Sequence, residues 1–129
     1  AYLNYAEALN ECDPGNADIL VYLNKIRERA DIPTYGPGPD QIAVDASDQT
    51  AMRKLIRMER RVGLCVEGVR YNDLRRWREA ENVNNGPIRK FNNDVILVRS
   101  FEPSRDYWWP VPQGEIDLNR NLLPNNPNY

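Results

Sequence analysis

The chain has 129 residues, with 17 Lys and Arg against 19 Asp and Glu and a formal net charge of −2. This near balance disfavours a nucleic-acid-binding protein that relies on a surplus of positive charge. No apolar run approaches the roughly 20 residues of a membrane-spanning helix. The chain has no histidine, which removes the Ser-His and Cys-His nucleophile systems and most zinc sites and so disfavours an enzyme. We predict no catalytic residue and no metal site, and we expect no cofactor.

Two amphipathic helices are predicted at the start of the chain. The stretch "YLNYAEALNEC" places its apolar residues on one helical stripe, and "DPGN" then ends the helix with turn-forming residues. Asn16 can cap a second helix over about residues 17–30, in which the charged residues, including Arg27, are predicted to face solvent. A short turn between two such helices predicts an antiparallel helix pair of the kind that tetratricopeptide repeats stack.

A long loop and a third helix follow. Residues 32–48, "IPTYGPGPDQIAVDASD", are rich in Pro, Gly and Asp and predict an irregular surface connection. Ser47 or Asp48 can cap the next helix, which is predicted to continue to Gly68. Cys12 and Cys65 both lie on these helical stretches, and we expect two free, mostly buried thiols rather than a disulfide.

The rest of the chain, after residue 68, alternates between short elements and loops. "RYNDLRRWREA" predicts a fourth helix, "ENVNNGPIRKFNND" a loop, and Val95–Val98 one short strand. The segment from Tyr107 to Tyr129 is too rich in Pro and Asn for a long helix, but its aromatic residues predict an ordered, extended wrap. The predicted fold class is all-α, with helix pairs, long loops and at most a short β-strand.

The segment from Glu59 to Trp77 mixes arginines, carboxylates and apolar residues. Its carboxylates lie within helical reach of arginines, which would hold them ionised, and its acids interrupt every group of arginines. Both features disfavour an acid-base site and a nucleic-acid surface, and we predict that this segment is a structural network in which the arginines tie the third and fourth helices to the tail. We expect Glu67 and Arg70 to form a partly buried ion pair. The predicted network consists of Glu59, Arg60, Glu67, Arg70, Asp73, Arg76 and Trp77.

Four segments, in this order, resemble the carboxyl-terminal part of SusD/RagB-type glycan-binding lipoproteins: "YAEALNE", "ILVYLNKIRERADIP", "IRMERRVGLCVEGVRYNDLRRW" and "YWWPVPQGEIDLNRNLLPNNPNY". The chain departs from the family pattern at Gly63, Trp108, Trp109 and Asn128. The matching positions resemble framework residues of the family: Asn24, Arg27, Arg29, Ala30, Glu59, Arg60, Glu67, Gly68, Arg70, Asp73, Leu74, Arg76, Trp77, Pro110, Pro112, Glu115, Asn119, Asn126, Pro127 and Tyr129.

The resemblance implies that residues 1–129 form a single carboxyl-terminal region of a longer protein. That protein would be held at the outer membrane of a Gram-negative bacterium by an amino-terminal lipid absent from this chain. It would capture oligosaccharides for a SusC-type TonB-dependent transporter, without catalysis. The family's sugar site lies mostly upstream, so this chain would be mostly scaffold. The alternative function is a tetratricopeptide-like module that binds another polypeptide.

Three aromatic residues are candidates for contact with a sugar. Flat rings can cover the apolar face of a sugar, and Trp108 and Trp109 offer such rings, with amide and carboxylate groups available at residues 92–94. Tyr35 in the Gly-Pro loop is the third candidate. The competing interpretations, which we favour, are that the tryptophans fill the core and that Tyr35 fastens its loop.

Overall fold

The protein is described by a computed structural model of residues 1–129, which is mostly helical and forms two compact units, Ala1–Arg70 and Tyr71–Tyr129. The predicted all-α fold class is confirmed. No helix combines the length and the apolar character needed to cross a membrane. The elements in chain order are α1 (Tyr2–Cys12), α2 (Asp18–Arg29), α3 (Gln49–Gly63), α4 (Arg70–Arg76), α5 (Ala80–Val83), β1 (Gly86–Arg89), β2 (Val95–Arg99), α6 (Gln113–Leu118) and a 3-10 helix (Arg120–Leu122).

The first unit is built on the predicted helix pair. Before α2, the Asn16 side-chain oxygen accepts a hydrogen bond from the Asp18 amide at 2.9 Å. Before α3, the Asp48 carboxylate accepts from the amides of Thr50 and Ala51, which confirms Asp48 as the cap of this helix. Apolar faces of the three helices enclose one core, which consists of Leu3, Ala6, Ile19, Leu23, Tyr35, Met52 and Ile56.

Helix α3 is shorter than predicted. It ends at Gly63 instead of Gly68, and the residues that follow form a turn in which Val66 and Gly68 have φ angles of 62° and 76°. A right-handed helix cannot contain such left-handed residues, so the apolar pattern continues past the true end of the helix. The prediction of buried thiols is also wrong, because Cys12 and Cys65 are both exposed.

The second unit has a smaller core, formed by Leu74, Ala80 and Phe101. Tyr107 packs edge-on against Phe101, with the ring centroids 4.9 Å apart. Strands β1 and β2 pair in antiparallel orientation, with Gly86 opposite Arg99. Strand β1 lies in a segment that we predict as loop, since four residues that begin with Gly-Pro show no alternation and become a strand only by pairing with β2.

The tail is less extended than predicted. It contains α6, which starts directly after Pro112 and buries Ile116, and the 3-10 helix that begins after Asn119. The Asn119 side chain accepts a hydrogen bond from the Asn121 amide at 3.1 Å. A local side-chain cap therefore accompanies the 3-10 helix in a segment whose composition excludes a long helix.

Candidate functional site

The carboxylate of Glu59 lies at the centre of a buried polar cluster in the first unit. Its Oε1 atom accepts hydrogen bonds from Arg27 Nη1 and from the Tyr35 hydroxyl, both at 2.5 Å. The Glu59 and Arg27 side chains are each only 11% exposed. The prediction that Arg27 faces solvent is therefore wrong, because a carboxylate from another helix supplies the charge partner that burial requires.

The same cluster fastens the long loop through Tyr35. The Asn24 side chain bonds both backbone groups of Tyr35, accepting from its amide at 2.8 Å and donating to its carbonyl at 2.9 Å. Arg27 lies 4.4 Å from the Tyr35 ring centre and donates to the Pro33 carbonyl. Burial and the neighbouring Glu59 carboxylate raise the pKa of Tyr35 to about 12. Tyr35 is buried, so it offers no ring face to a sugar and instead fastens its loop.

Arg60 makes a second buried connection in the first unit. Its side chain donates to the Asn4 side-chain oxygen at 2.6 Å and lies 3.5 Å from the Glu7 carboxylate. Arg60 therefore joins α3 to α1, and Glu59 joins α3 to α2 and the loop. We predict that α3 is tied to the tail, but these two residues tie it to the helices of its own unit.

The remaining residues of the predicted network differ in their environments. The prediction that Glu67 belongs to a partly buried ion pair is wrong, because Glu67 is exposed in the turn between α3 and α4. Since Arg70 starts α4, these two residues do not share a helix. The Asp73 carboxylate is buried and accepts from Arg76 at 2.9 Å, as their spacing predicts. The Arg76 guanidinium also lies 4.8 Å from the centre of the Trp77 ring.

Two other arginines connect α4 and its flank to the tail. Arg75 donates to the Tyr107 carbonyl and lies 4.9 Å from the Trp109 ring centre. Arg78 lies 4.4 Å from the Tyr107 ring centre. Two arginines that the predicted network does not contain therefore join the fourth helix and its flank to the tail. The role of the predicted network itself in this connection stays a prediction. No signal in "RRWRE" distinguishes one arginine from the next.

Aromatic rings line an open cleft of about 560 Å³ in the second unit. Four of its lining residues are Tyr71, Trp108, Trp109 and Tyr129. Trp108 is 49% exposed and Trp109 is 65% exposed. The expectation that the tryptophans fill the core is therefore wrong, and the core cluster of this unit consists of Leu74, Ala80 and Phe101.

Residues near the end of the tail hold the backbone of the two tryptophans and of Val111. Asn126 donates from its side chain to the Trp109 carbonyl, and the Tyr129 hydroxyl donates to the Trp108 carbonyl at 3.2 Å. The Asn125 side chain bonds both the amide and the carbonyl of Val111, at 2.8 and 3.2 Å. The closing segment of the chain thus acts as a clamp on "WWPV".

Polar groups complete the wall of the cleft. Asp106 accepts hydrogen bonds from the Glu102 amide and from Arg105, and the bond from Arg105 holds the pKa of the Asp106 carboxyl below its usual range. Arg99 donates to the Val83 carbonyl at 3.0 Å. Asn84 also lines the cleft. The aromatic rings of the cleft therefore lie beside a carboxylate, a guanidinium and an amide, which include both donors and acceptors of hydrogen bonds.

The family model described as "SusD family" matches residues 1–129. The chain belongs to the SusD family. A SusD-like protein from Formosa agariphila, P2, is 36% identical over 124 residues, which cover 96% of this chain and 23% of that protein. A second SusD-like protein of the same organism, P38, is 38% identical over 93 residues, which cover 71% of this chain and 18% of that protein.

The fold of this SusD-family chain is also similar to a solved structure. The crystal structure of a SusD-like protein from Bacteroides fragilis superposes with a TM-score of 0.73 at 29% sequence identity. The match covers 99% of this chain and 24% of that chain. The chain therefore spans about a quarter of the length of the relatives that it matches.

Proposed function

We propose that the protein to which this chain belongs binds oligosaccharides at the outer membrane and passes them to a SusC-type TonB-dependent transporter for nutrient uptake. The observation that carries this proposal is the match of the SusD family model to the entire chain. The SusD family is associated with glycan binding in polysaccharide utilisation. The two Formosa agariphila relatives and the Bacteroides fragilis structure support the same assignment.

Within that protein, this chain acts mainly as a non-catalytic scaffold. The buried carboxylates support this role, because Glu59 and Asp73 are both paired with arginines. Each carboxylate is occupied by interactions within the fold, since Glu59 accepts from Arg27 and Tyr35 and Asp73 accepts from Arg76. A lipid attached upstream of this chain would place the protein on the cell surface.

Affinity electrophoresis of the full-length protein, as the host makes it, tests the proposal. A native gel that contains laminarin, starch or xylan should retard the protein, whereas a gel without polysaccharide should not. An unrelated protein of similar mass controls for sieving by the polymer. Membrane fractionation should recover the protein with the outer membrane, together with a TonB-dependent transporter. Absence of retardation by every polysaccharide, with recovery away from the outer membrane, would contradict the proposal.

The alternative function, a module that binds another polypeptide, rests on the hairpin of β1 and β2. All four apolar side chains of Val95–Val98 are at least 49% exposed, and Phe91 in the connecting turn is fully exposed. Exposed strands with apolar side chains pair readily with other polypeptides. If this function is the correct one, polysaccharides will not retard the protein, and substitution of Phe91 will release a co-purifying polypeptide.

A further inference from the structure

We propose that the aromatic cleft of the second unit is a binding site for an uncharged oligosaccharide, with Trp108 and Trp109 as its stacking surface. This inference rests on the proposed function and adds to it a sugar contact within the chain. The volume of about 560 Å³ falls in the range of about 300–1,000 Å³ that is typical of small-ligand sites.

The tryptophan rings are both accessible and supported. Trp109 is contacted by Tyr71, with the ring centroids 6.2 Å apart, and by the Arg75 guanidinium at 4.9 Å. It nevertheless remains 65% exposed. A ring that is held by its neighbours but open to solvent can cover the apolar C–H face of a sugar without rearrangement.

The clamp described above lowers the entropic cost of binding. Asn126 and Tyr129 hold the carbonyls of Trp109 and Trp108, so the backbone that carries both rings is ordered before a ligand arrives. Ordering a loop during binding subtracts from the observed affinity, and a preformed site avoids that loss. The clamp gives the closing residues a role in ligand binding as well as in folding.

The charges of the cleft favour a ligand without charge. Asp106 contributes one carboxylate and Arg99 one guanidinium to its wall, so a strongly acidic ligand gains no net attraction. Sugar hydroxyls both donate and accept hydrogen bonds, and they can therefore use the acceptor atoms of Asp106, the donors of Arg99 and the amide of Asn84. This combination of groups distinguishes a sugar from a purely apolar ligand or a phosphate.

Fluorine NMR of the full-length protein labelled with 5-fluorotryptophan tests accessibility and binding together. The variants Trp108→Phe and Trp109→Phe assign the two resonances, whatever the number of other tryptophans. A soluble paramagnetic relaxation agent should broaden both resonances in the free protein. Laminarihexaose, maltohexaose or xylohexaose should then shift at least one of them and protect it from broadening. Two resonances already protected in the free protein would overturn the inference, since another part of the polypeptide would then fill the cleft.

Affinity electrophoresis of variants provides the second test. The double variant Trp108→Ala/Trp109→Ala should weaken retardation by a neutral polysaccharide about tenfold, as expected for the loss of aromatic stacking. Trp109→Phe keeps a flat ring and should lose less. Leu118→Ala is the control, because Leu118 is an exposed apolar residue of the same unit that does not line the cleft.

The outcomes separate this inference from the proposed function. If polysaccharide retards the wild type and the double variant equally, the cleft carries no sugar contact, although the proposed function stands. If none of the neutral polysaccharides retards the wild type and no hexaose shifts either resonance, the inference fails. If an acidic polysaccharide retards the protein in that case, the proposed function still stands. If the double variant does not fold, the fluorine resonances of the wild type decide the question.

Discussion

Each of the two units of this chain is stabilised internally by a different kind of interaction. The first unit encloses an apolar core from three helices and adds a buried ion pair, Glu59 with Arg27, at its edge. The second unit has a smaller core cluster, which consists of Leu74, Ala80 and Phe101. Its order depends on side chains that bond to backbone groups and on arginines that lie against aromatic rings.

The difference shows how a short, polar chain can be ordered in two ways. In the first unit, long helices bring apolar faces together, and the charged groups that become buried must find partners. The second unit has helices of seven residues or fewer, which present little apolar surface, so asparagine side chains supply many of the bonds that regular structure would provide. The small core of the second unit does not include Trp108 and Trp109, which remain exposed to solvent.

The largest expected effect is the loss of the buried acceptor in the first unit. Glu59→Ala leaves Arg27 and the Tyr35 hydroxyl buried without it, and we expect the free energy of unfolding to fall by about 3–5 kcal/mol. Urea unfolding followed by circular dichroism measures this change. Glu28→Ala, which removes an exposed carboxylate from α2, is the control and should have little effect. An unfolding midpoint equal to that of the wild type would show that the ion pair is dispensable.

The next effect is a loss of stability at alkaline pH through Tyr35. Its pKa is raised from 10.0 in the unfolded chain to about 12 in the folded protein, so folding favours the protonated hydroxyl. The folded state gains this stabilisation in full below about pH 10. The stabilisation is lost as the pH rises towards 12. We expect the loss to be about 2–3 kcal/mol. Unfolding measured from pH 8 to pH 12 should show this loss in the wild type and not in Tyr35→Phe. Tyr5→Phe, at a half-exposed tyrosine, should retain the wild-type profile.

A smaller, local effect is expected in the second unit. Asn125→Ala removes the two hydrogen bonds to Val111, and each such bond contributes about 1 kcal/mol. Hydrogen exchange of the Val111 amide should become roughly tenfold faster or more, while core amides of the first unit keep their rates. Asn121→Ala changes an exposed asparagine of the same tail and serves as the control. Unchanged exchange at Val111 would contradict the clamp.

The smallest effect is expected at the exposed ion pair between Glu11 and Arg53. Two hydrogen bonds of 2.6 Å join these side chains, and the bond from Arg53 lowers the pKa of Glu11. Ionised Glu11 therefore stabilises the folded state at pH values above 4.5, the usual pKa of a Glu carboxyl. This contribution is lost as the pH falls below 4.5 and through the lowered pKa of the folded state. Solvent screens such a pair, so Glu11→Gln at pH 7 should shift the unfolding midpoint far less than Glu59→Ala does. A shift as large as that of Glu59→Ala would erase the distinction between buried and exposed pairs.

Much of the helical structure could be predicted from local patterns. Periodic apolar residues locate the first three helices, and Asp48 marks the start of α3 because a cap needs only residues next to it in sequence. The end of α3 could not be found in this way, since the apolar pattern continues through Val66 and only the backbone conformation interrupts it. Strand β1 was missed for the related reason that its partner is a different segment of the chain.

The sequence by itself determined the family and the order of the first four helices. Only the tertiary structure decided that most of the Arg27 side chain is removed from solvent and that Trp108 and Trp109 are exposed. The reason is that burial depends on partners distant in sequence. A charged residue becomes buried when a remote carboxylate meets it, and an aromatic residue stays exposed when other side chains already fill the core.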